Sequence, residues 1–385
     1  MLRLLRPPAG WFTLQQKAME RFDVVVIGAG PAGCSAAREA ALRGAGSVLL
    51  LEREEWPRDK VCAGGLSPPA RRVLRRMGLW SRVLPLGYPI RAARLRTPGG
   101  RELLVSGRRT SLVVRRRFLD ALLAEEAARA GAVLRTGCRA QGLLLEQGRV
   151  RGVKAGGASI GARRVILASG AGSRYGLRPP PSSRWLACLA RYEAVPFEPH
   201  TIELFFDPEL FPRYGWLFPE SGSQVNVGFC LARGQRRGPP AGMGPRELLE
   251  RFLRRNLGER MAAARPLGRP RFHPILPSSR VLHRSLPGTL LAGDCLRLVN
   301  PFTGEGLSYA LASGRLAGRV TASALRSGWA EPRIRRLYGR ALRTSLEPSL
   351  RIGDWISRRG RPLLHWAARA ASSRLGGRLI YRALS

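Results

Sequence analysis

The hydrophobic pattern is sharpest between residues 22 and 52. A β-branched run, Val24-Val25-Val26-Ile27, predicts a strand buried on both faces. Small residues follow at Ala36, Ala37, Ala40 and Ala41, the signature of a helix packed close against a sheet, and Val48-Leu49-Leu50-Leu51 supplies a second strand. Ser67-Pro68 opens a predicted helix that runs to about Met77. Residues 90–114 alternate in short strand-like pieces broken by Pro98-Gly99-Gly100. The segment from Arg116 to Ala130 puts Leu119, Leu122, Leu123 and Ala127 on one helical face. Short strands are predicted at Ala132–Arg135, Gly142–Glu146, Val150–Ala155 and Val165–Ala168.

Beyond a proline-rich connector over 176–184 the texture becomes aromatic, with strands at Trp185–Tyr192, Thr201–Phe206, Gly215–Phe218 and Val225–Leu231. That pattern predicts a mostly antiparallel sheet, a platform for a bulky substrate, followed by a helix from Gly244 to Asn256. A last strand at Thr289–Ala292 and a small-residue helix from Leu307 to Ala324 return to the texture of the first part. From Glu331 to Ser385 the pattern is helical, basic and amphipathic, with interruptions expected at Pro348 and Pro362. The layout is therefore an N-terminal extension (1–20), a nucleotide-binding domain (21–175), an inserted β-sheet substrate domain (176–285), a return segment (286–328) and a basic helical region (329–385). Met19 stands four residues before Asp23, which favours a chain start there over residues 1–18 forming a membrane-touching arm.

Charge changes the picture less than its size suggests. The 66 basic and 26 acidic residues give +40, and only Lys17, Lys60 and Lys154 are lysines, so 63 of the 66 are arginines. They are spread along the whole chain, which fits a compositional bias and no specific nucleic-acid site, while still drawing the protein to an anionic membrane. The six cysteines have no C-x-x-C spacing and no histidine cluster, which argues against zinc and fits a reduced, cytoplasmic setting. No apolar run approaches the roughly 20 residues that span a bilayer.

Candidate chemistry begins at Gly28-Ala29-Gly30-Pro31-Ala32-Gly33, a G-x-G-x-x-G placed between the first strand and its helix. Gly28 permits the turn, Gly30 lets backbone approach a pyrophosphate, and Gly33 lets helix and strand pack. Free N–H groups at the helix start face the phosphates. Glu52, 19 residues past Gly33, ends the second strand, where it can accept from an adenosine ribose. Far along the chain, Gly293-Asp294 ends a strand and can hold a second ribose-like chain. The loop Pro301-Phe302-Thr303-Gly304-Glu305-Gly306 precedes a helix whose positive end suits the charge of a reduced flavin. Three separated segments meeting on one extended cofactor point to FAD.

With these residues the chain resembles the FAD-dependent geranylgeranyl reductase family, within the p-hydroxybenzoate-hydroxylase-like flavoproteins, over roughly Phe22 to Ala324. The resemblance implies an α/β fold: a Rossmann-type FAD-binding domain with an inserted, mostly antiparallel β-sheet substrate domain and a C-terminal helical segment. It rests on the motifs above, on Arg116 before its helix, and on Lys60-Val61-Cys62-Ala63-Gly64-Gly65-Leu66-Ser67. The sharpest mark is Tyr214-Gly215-Trp216-Leu217-Phe218-Pro219, which matches the family's Y-x-W-x-F-P. Alternate Tyr214, Trp216 and Phe218 share one strand face, flat and apolar as an isoprenoid requires. The cofactor contacts so implied are Gly28, Gly30, Ala32, Gly33, Glu52, Arg53, Lys60, Gly64, Gly65, Leu66, Arg116, Gly293, Asp294, Pro301, Gly304, Glu305 and Gly306. Tyr214, Trp216, Phe218 and Pro219 would hold substrate.

The activity the resemblance implies is hydride transfer from N5 of reduced FAD to an isoprenoid double bond of a prenyl lipid. An external donor, NAD(P)H or a reduced ferredoxin-type protein, would reduce the flavin. Cys62 could face the flavin or substrate, and Tyr214 or an ordered water could supply the proton. Two departures stand out: Ser169-Gly170 where Asp-Gly is usual, and Ala63 where glycine is common. The rival on the same fold is an FAD-dependent monooxygenase that hydroxylates an aromatic or lipid. A halogenase is less well matched, because Tyr214 and Phe218 replace residues of its W-x-W-x-I-P pattern and no lysine lies between Lys60 and Lys154. His200, His273, His283 and His365 fall in no motif and read as structural or surface residues.

Overall fold

The structure, a computed structural model, describes residues 12–13, 19–177, 184–232 and 242–370, with the side chains of 12–13, 107–110 and 360–370 left aside. Most of the N-terminal extension, residues 178–183 of the proline-rich connector, and the side chains of Leu363, Leu364 and Trp366 lie outside this description.

In chain order the elements that position the site are β1 (Glu20–Ile27), α1 (Pro31–Leu42), β2 (Val48–Leu51), α2 (Pro68–Arg76), β3 (Gly87–Arg96), β4 (Glu102–Val114), α3 (Arg116–Arg129) and β5 (Ala132–Arg135). Three strands follow as a meander, β6 (Ala140–Glu146), β7 (Arg149–Ala155) and β8 (Ala158–Leu167). Then come β9 (Trp185–Glu193), β10 (Thr201–Phe205), β11 (Gly215–Pro219), β12 (Gln224–Ala232), α4 (Pro245–Asn256), β13 (Arg271–Ile275), β14 (Thr289–Leu291), α5 (Leu307–Arg326) and α6 (Glu331–Ala370).

The first sheet runs β6-β7-β8-β1-β2-β5, with β14 paired to β8. β1 is parallel to both β2 and β8, and β14 is parallel to β8 with Val165 opposite Thr289. Val24, Val25 and Val26 are fully buried, as a strand covered on both faces requires. The late strand β14 thus brings Gly293-Asp294 to the same sheet edge as Gly28–Gly33. Helix α5 lies directly on α1. A Cβ at Gly314 would meet the Ala32 carbonyl oxygen at 2.0 Å, so no larger residue permits this approach.

The second sheet runs β9-β12-β11-β10-β3-β4, all antiparallel except β10 beside β3. One face buries Phe205, Leu217 and Phe229 against Leu248, Phe252 and Leu253 of α4. The other face carries Trp185, Leu189 and Trp216 toward the first domain. The hairpin β3–β4 corrects the sequence layout. It falls within 21–175, the stretch assigned to nucleotide binding, yet it pairs with β10 across Ala92↔Thr201 to Arg96↔Phe205. Its apolar residues Leu95, Leu103 and Val105 pack on Phe206, a contact that only the folded chain brings together.

The C-terminal helix differs too. α6 passes through Pro348 and Pro362 without the expected interruptions. A proline inside a helix costs about 3 kcal/mol. Leu346 and Leu350, buried on either side of Pro348, hold the helix against the core, each contributing roughly 1.5–3 kcal/mol. Farther up, the Tyr338 hydroxyl donates to the Leu291 carbonyl at 2.7 Å.

Candidate active site

Helix α1 begins at Pro31 with Gly30 before it and no capping side chain, so the first-turn N–H groups remain available to an anion. Two glycines shape this cradle in opposite ways. A Cβ on Gly33 would sit 1.8 Å from the Gly28 carbonyl oxygen, whereas a Cβ on Gly30 would meet only the Arg58 Nη2, at 3.9 Å. Gly33 is thus closed by packing, and Gly30 fronts open space. Glu52 is buried at the end of β2 and accepts from the Ala29 N–H at 3.1 Å.

The charge around Glu52 is balanced by residues that the sequence reading missed. Arg58 lies 3.1 Å from Glu52 and 3.0 Å from Asp120. Asp120 also takes both arms of Arg116 at 2.7 Å. Burial works against the Arg116 charge, but Asp120 beside it holds its pKa above the ordinary value. Asp120 stands four residues after Arg116 on one helix, a spacing that could have revealed it. Nothing local in the sequence links Arg58 to either carboxylate.

The cradle opens into a cavity of about 410 Å³. Gly30 and Asp294 line it, together with the Lys60–Leu66 loop and with Leu95, Val105 and Ile202 of the second sheet and its hairpin. Tyr214, Trp216 and Phe218 all face it, while Leu217 between them turns into the core under α4. The glycine loop lies against this wall: a Cβ on Gly65 would meet the Phe218 ring at 3.1 Å. Asn226, fully buried and also missed, joins the two. It accepts from the Trp216 Nε1–H at 2.8 Å and donates to the Ala63 carbonyl at 3.1 Å and to Glu220 at 3.0 Å. Cys62 lines the cavity and accepts the Gly64 N–H at 3.4 Å. The Tyr214 hydroxyl donates to the Thr303 carbonyl, and burial pushes its pKa far up, so that proton is already committed to the loop.

At the cofactor end Lys60 Nζ lies 3.8 Å from Asp294. The 300–306 loop is folded around Asn300, whose side-chain oxygen accepts the N–H groups of Phe302 and Thr303 at 2.9 and 3.1 Å. Helix α5 starts beyond it at Leu307, where the Glu305 side chain takes the Ser308 N–H of the first turn. Glu305 lines the cavity and accepts from the Ser67 hydroxyl at 2.5 Å. His273 lines it too, although sequence left it outside the site; burial, with Lys60 adding to it, lowers its pKa to about 4, so the ring is neutral at pH 7. Six expected contacts do not line the cavity: Gly28, Gly33 and Glu52 lie behind the cradle, and three others stand apart from it. Arg53 is exposed and pairs with Glu54 at 3.0 Å. Pro219 ends β11 opposite Val225, and the Pro301 carbonyl accepts from Arg213.

These residues fit FAD. There is open space before Gly30 at a free helix terminus, a buried carboxylate in Glu52, and a second in Asp294 facing the cavity beside the start of α5.

A family model described as an FAD binding domain matches residues 21–344. Digeranylgeranylglycerophospholipid reductase 1 of Methanopyrus kandleri is 36% identical over 323 residues, spanning 79% of this chain and 81% of its own. Menaquinone reductase of Mycobacterium tuberculosis is 32% identical over 322 residues, spanning 77% and 76%. Among solved structures, a geranylgeranyl bacteriochlorophyll reductase-like protein from Thermoplasma acidophilum superimposes with a TM-score of 0.80 over 93% of each chain. At 24% identity that match speaks for the fold alone.

Proposed function

This chain belongs to the geranylgeranyl reductase family of FAD-dependent oxidoreductases, and from that membership we propose that it reduces carbon–carbon double bonds of a prenyl lipid. The observation that carries the proposal is the continuity of one cavity from Gly30 and Asp294 at the cofactor cradle to the wall of Tyr214, Trp216 and Phe218. Bound FAD, once reduced by a nicotinamide nucleotide or a ferredoxin-type protein, supplies the hydride. The protein's own part is positional. An unactivated alkene offers little to polarise, so holding it in line is the main contribution open to the side chains. The aromatic wall clamps the chain, with Trp216 fixed by Asn226 and Phe218 backed by the glycine loop. The Lys60–Leu66 loop closes over the reacting region and keeps water from it. Incubation with a geranylgeranyl lipid and reductant should give a product heavier by two hydrogen atoms for each bond reduced. A lipid recovered unchanged with a fully loaded, fully reduced protein contradicts the assignment.

We also propose that the protein works at the cytoplasmic face of a membrane without spanning it. Among the described residues no helix is long and apolar enough to cross a bilayer. The apolar residues of α6 divide along its length: Tyr338 and Leu342 are buried in the core, whereas Ile352 and Trp355 are 57% and 50% exposed. Arg351, Arg358 and Arg359 surround this exposed pair, the last lying over the Trp355 ring at 5.2 Å. An exposed apolar pair flanked by arginines, two of them paired with Glu347 and Asp354 on the same helix, is the composition of an interfacial helix on anionic lipid. Flotation with vesicles should therefore show binding that rises with anionic lipid and falls with salt. Ile352→Asp with Trp355→Asp should weaken it without loss of flavin. Binding indifferent to lipid charge and salt contradicts the electrostatic part.

A further inference from the structure

Reduction of an alkene needs a proton as well as a hydride, and two carboxyls line the cavity, Asp294, which is paired with Lys60 at 3.8 Å, and Glu305. Glu305 lines the cavity between two glycines that approach different parts of its wall. On one side its neighbour Gly304 approaches the Tyr214 hydroxyl, which a Cβ would meet at 3.7 Å; on the other, Gly306 approaches Asp294 Oδ1, at 3.6 Å by the same measure. The Glu305 side chain is surrounded by protein yet keeps part of its surface accessible, which it owes to the cavity it lines. Its oxygens accept from Ser67 Oγ at 2.5 Å and from the hydroxyl and N–H of Ser308.

We propose that the Glu305 carboxyl is the acid that protonates the alkene carbon opposite the one taking hydride. This rests on the prenyl-lipid reductase reading above. In the step, the alkene π bond breaks, one carbon forms a C–H bond with the hydride of the reduced flavin, and the other forms a C–H bond with the Glu305 proton. A carboxylate remains and is reprotonated by water when the product leaves. The saturated bond gains two hydrogens, and the flavin is the species oxidised.

The groups facing Glu305 set its ionisation. Burial pushes its pKa up; hydrogen bonds from Ser67 of the α2 cap and Ser308 of α5 pull it back, and weaker than these is the pull of Arg72 on α2. Tyr214 of the aromatic wall and Tyr309 of α5 are the other titratable groups it acts on, and burial pushes both phenols up, so both stay neutral. The net shift is upward, toward the pH at which a general acid works best. Tyr214 is the poorer donor, since losing its proton would break its bond to Thr303 and leave a buried phenolate.

The test uses the FAD-loaded protein, reduced without oxygen and mixed with a geranylgeranyl lipid in detergent. Glu305→Gln should keep its flavin and its lipid affinity while reoxidising about 10²- to 10⁴-fold more slowly. The wild-type rate should fall as pH rises through the carboxyl's pKa, because only the protonated form donates; the glutamine variant should lack this limb, and Glu305→Asp should restore part of the rate. Infrared spectra of the oxidised protein supply a readout independent of turnover. At a pH below the falling limb of its rate profile the wild type should show a protonated-carboxyl band that shifts in D₂O and is missing from Glu305→Gln. A glutamine variant as fast as wild type overturns the proposal. So does a wild type without that band at a pH where it turns over, which decides the matter even if the glutamine variant fails to hold flavin. A wild type that leaves the lipid unreduced overturns the parent reading instead, on which the infrared band does not depend.

Discussion

Gly30→Val is expected to yield a folded protein without flavin, and Gly33→Ala a chain that does not fold. The two glycines lie three residues apart in one motif, but their surroundings are opposite. Gly30 has an extended backbone that valine tolerates, and its Cβ would meet nothing closer than Arg58 Nη2 at 3.9 Å. An isopropyl group there leaves the fold intact and fills the space where a pyrophosphate meets the first turn of α1. At Gly33 the added methyl would lie 1.8 Å from the Gly28 carbonyl oxygen, and relief requires α1 to leave β1. Asp294→Ala should be milder than either, since losing one hydrogen-bonded carboxylate costs roughly 1.5–3 kcal/mol, a drop of about tenfold to a hundredfold in FAD affinity. Flavin absorbance after gel filtration, with a thermal melt beside it, separates the three. Full flavin occupancy in both Gly30→Val and Asp294→Ala contradicts the assigned cofactor site.

Trp216→Ala is expected to keep its flavin and lose most alkene reduction. Its ring lies in the wall of the cavity, fixed beneath by Gly228, where a Cβ would come within 2.4 Å of it. Truncation removes apolar surface worth on the order of 2–4 kcal/mol against a bound prenyl chain. Since each 1.36 kcal/mol is tenfold, turnover should fall by roughly thirtyfold to a thousandfold. It also leaves the buried Asn226 side chain without its donor, which loosens the Ala63 end of the glycine loop. Trp216→Phe, which keeps a ring but loses the Nε1–H bond, should lie between. Anaerobic reoxidation of the reduced flavin by a geranylgeranyl lipid measures the series, and an alanine variant with the wild-type rate contradicts the role of the wall.

What sequence reveals of this site follows the distance over which its parts interact. The β1-α1-β2 unit and its Glu52 were legible because turn, helix and acidic terminus lie within 31 residues and obey fixed spacings. The wall was legible because Tyr214, Trp216 and Phe218 alternate along one short strand, and the period alone puts them on one face. The partners that hold these groups were not. Asn226 reaches Trp216 from the next strand and Ala63 from a loop 163 residues away, and no pattern announces an asparagine fully buried in a sheet. Arg58 is one of 63 arginines and is distinguished only by lying between Glu52 and Asp120. His273 belongs to no motif and enters the cavity because β13 pairs with β9. The sheet that the hairpin β3–β4 joins was not legible for the same reason, since its parallel partner β10 lies about a hundred residues on and strand patterns do not name their neighbours. Pro348 misled in the other direction, because the core contacts of α6 outweigh one missing hydrogen bond.

The measurement that bears most directly on the whole account is a single turnover without oxygen. The FAD-loaded protein is reduced, mixed with a geranylgeranyl lipid in a sealed cell, and followed by flavin absorbance while the lipid is weighed by mass spectrometry. The account predicts that flavin is reoxidised in step with loss of double bonds, one bond for each flavin, with no oxygen present. A monooxygenase on the same fold needs oxygen to react. If the reduced flavin stayed reduced until oxygen was admitted, and the lipid then gained oxygen with its double bonds intact, the reductase assignment would be wrong and hydroxylation would take its place.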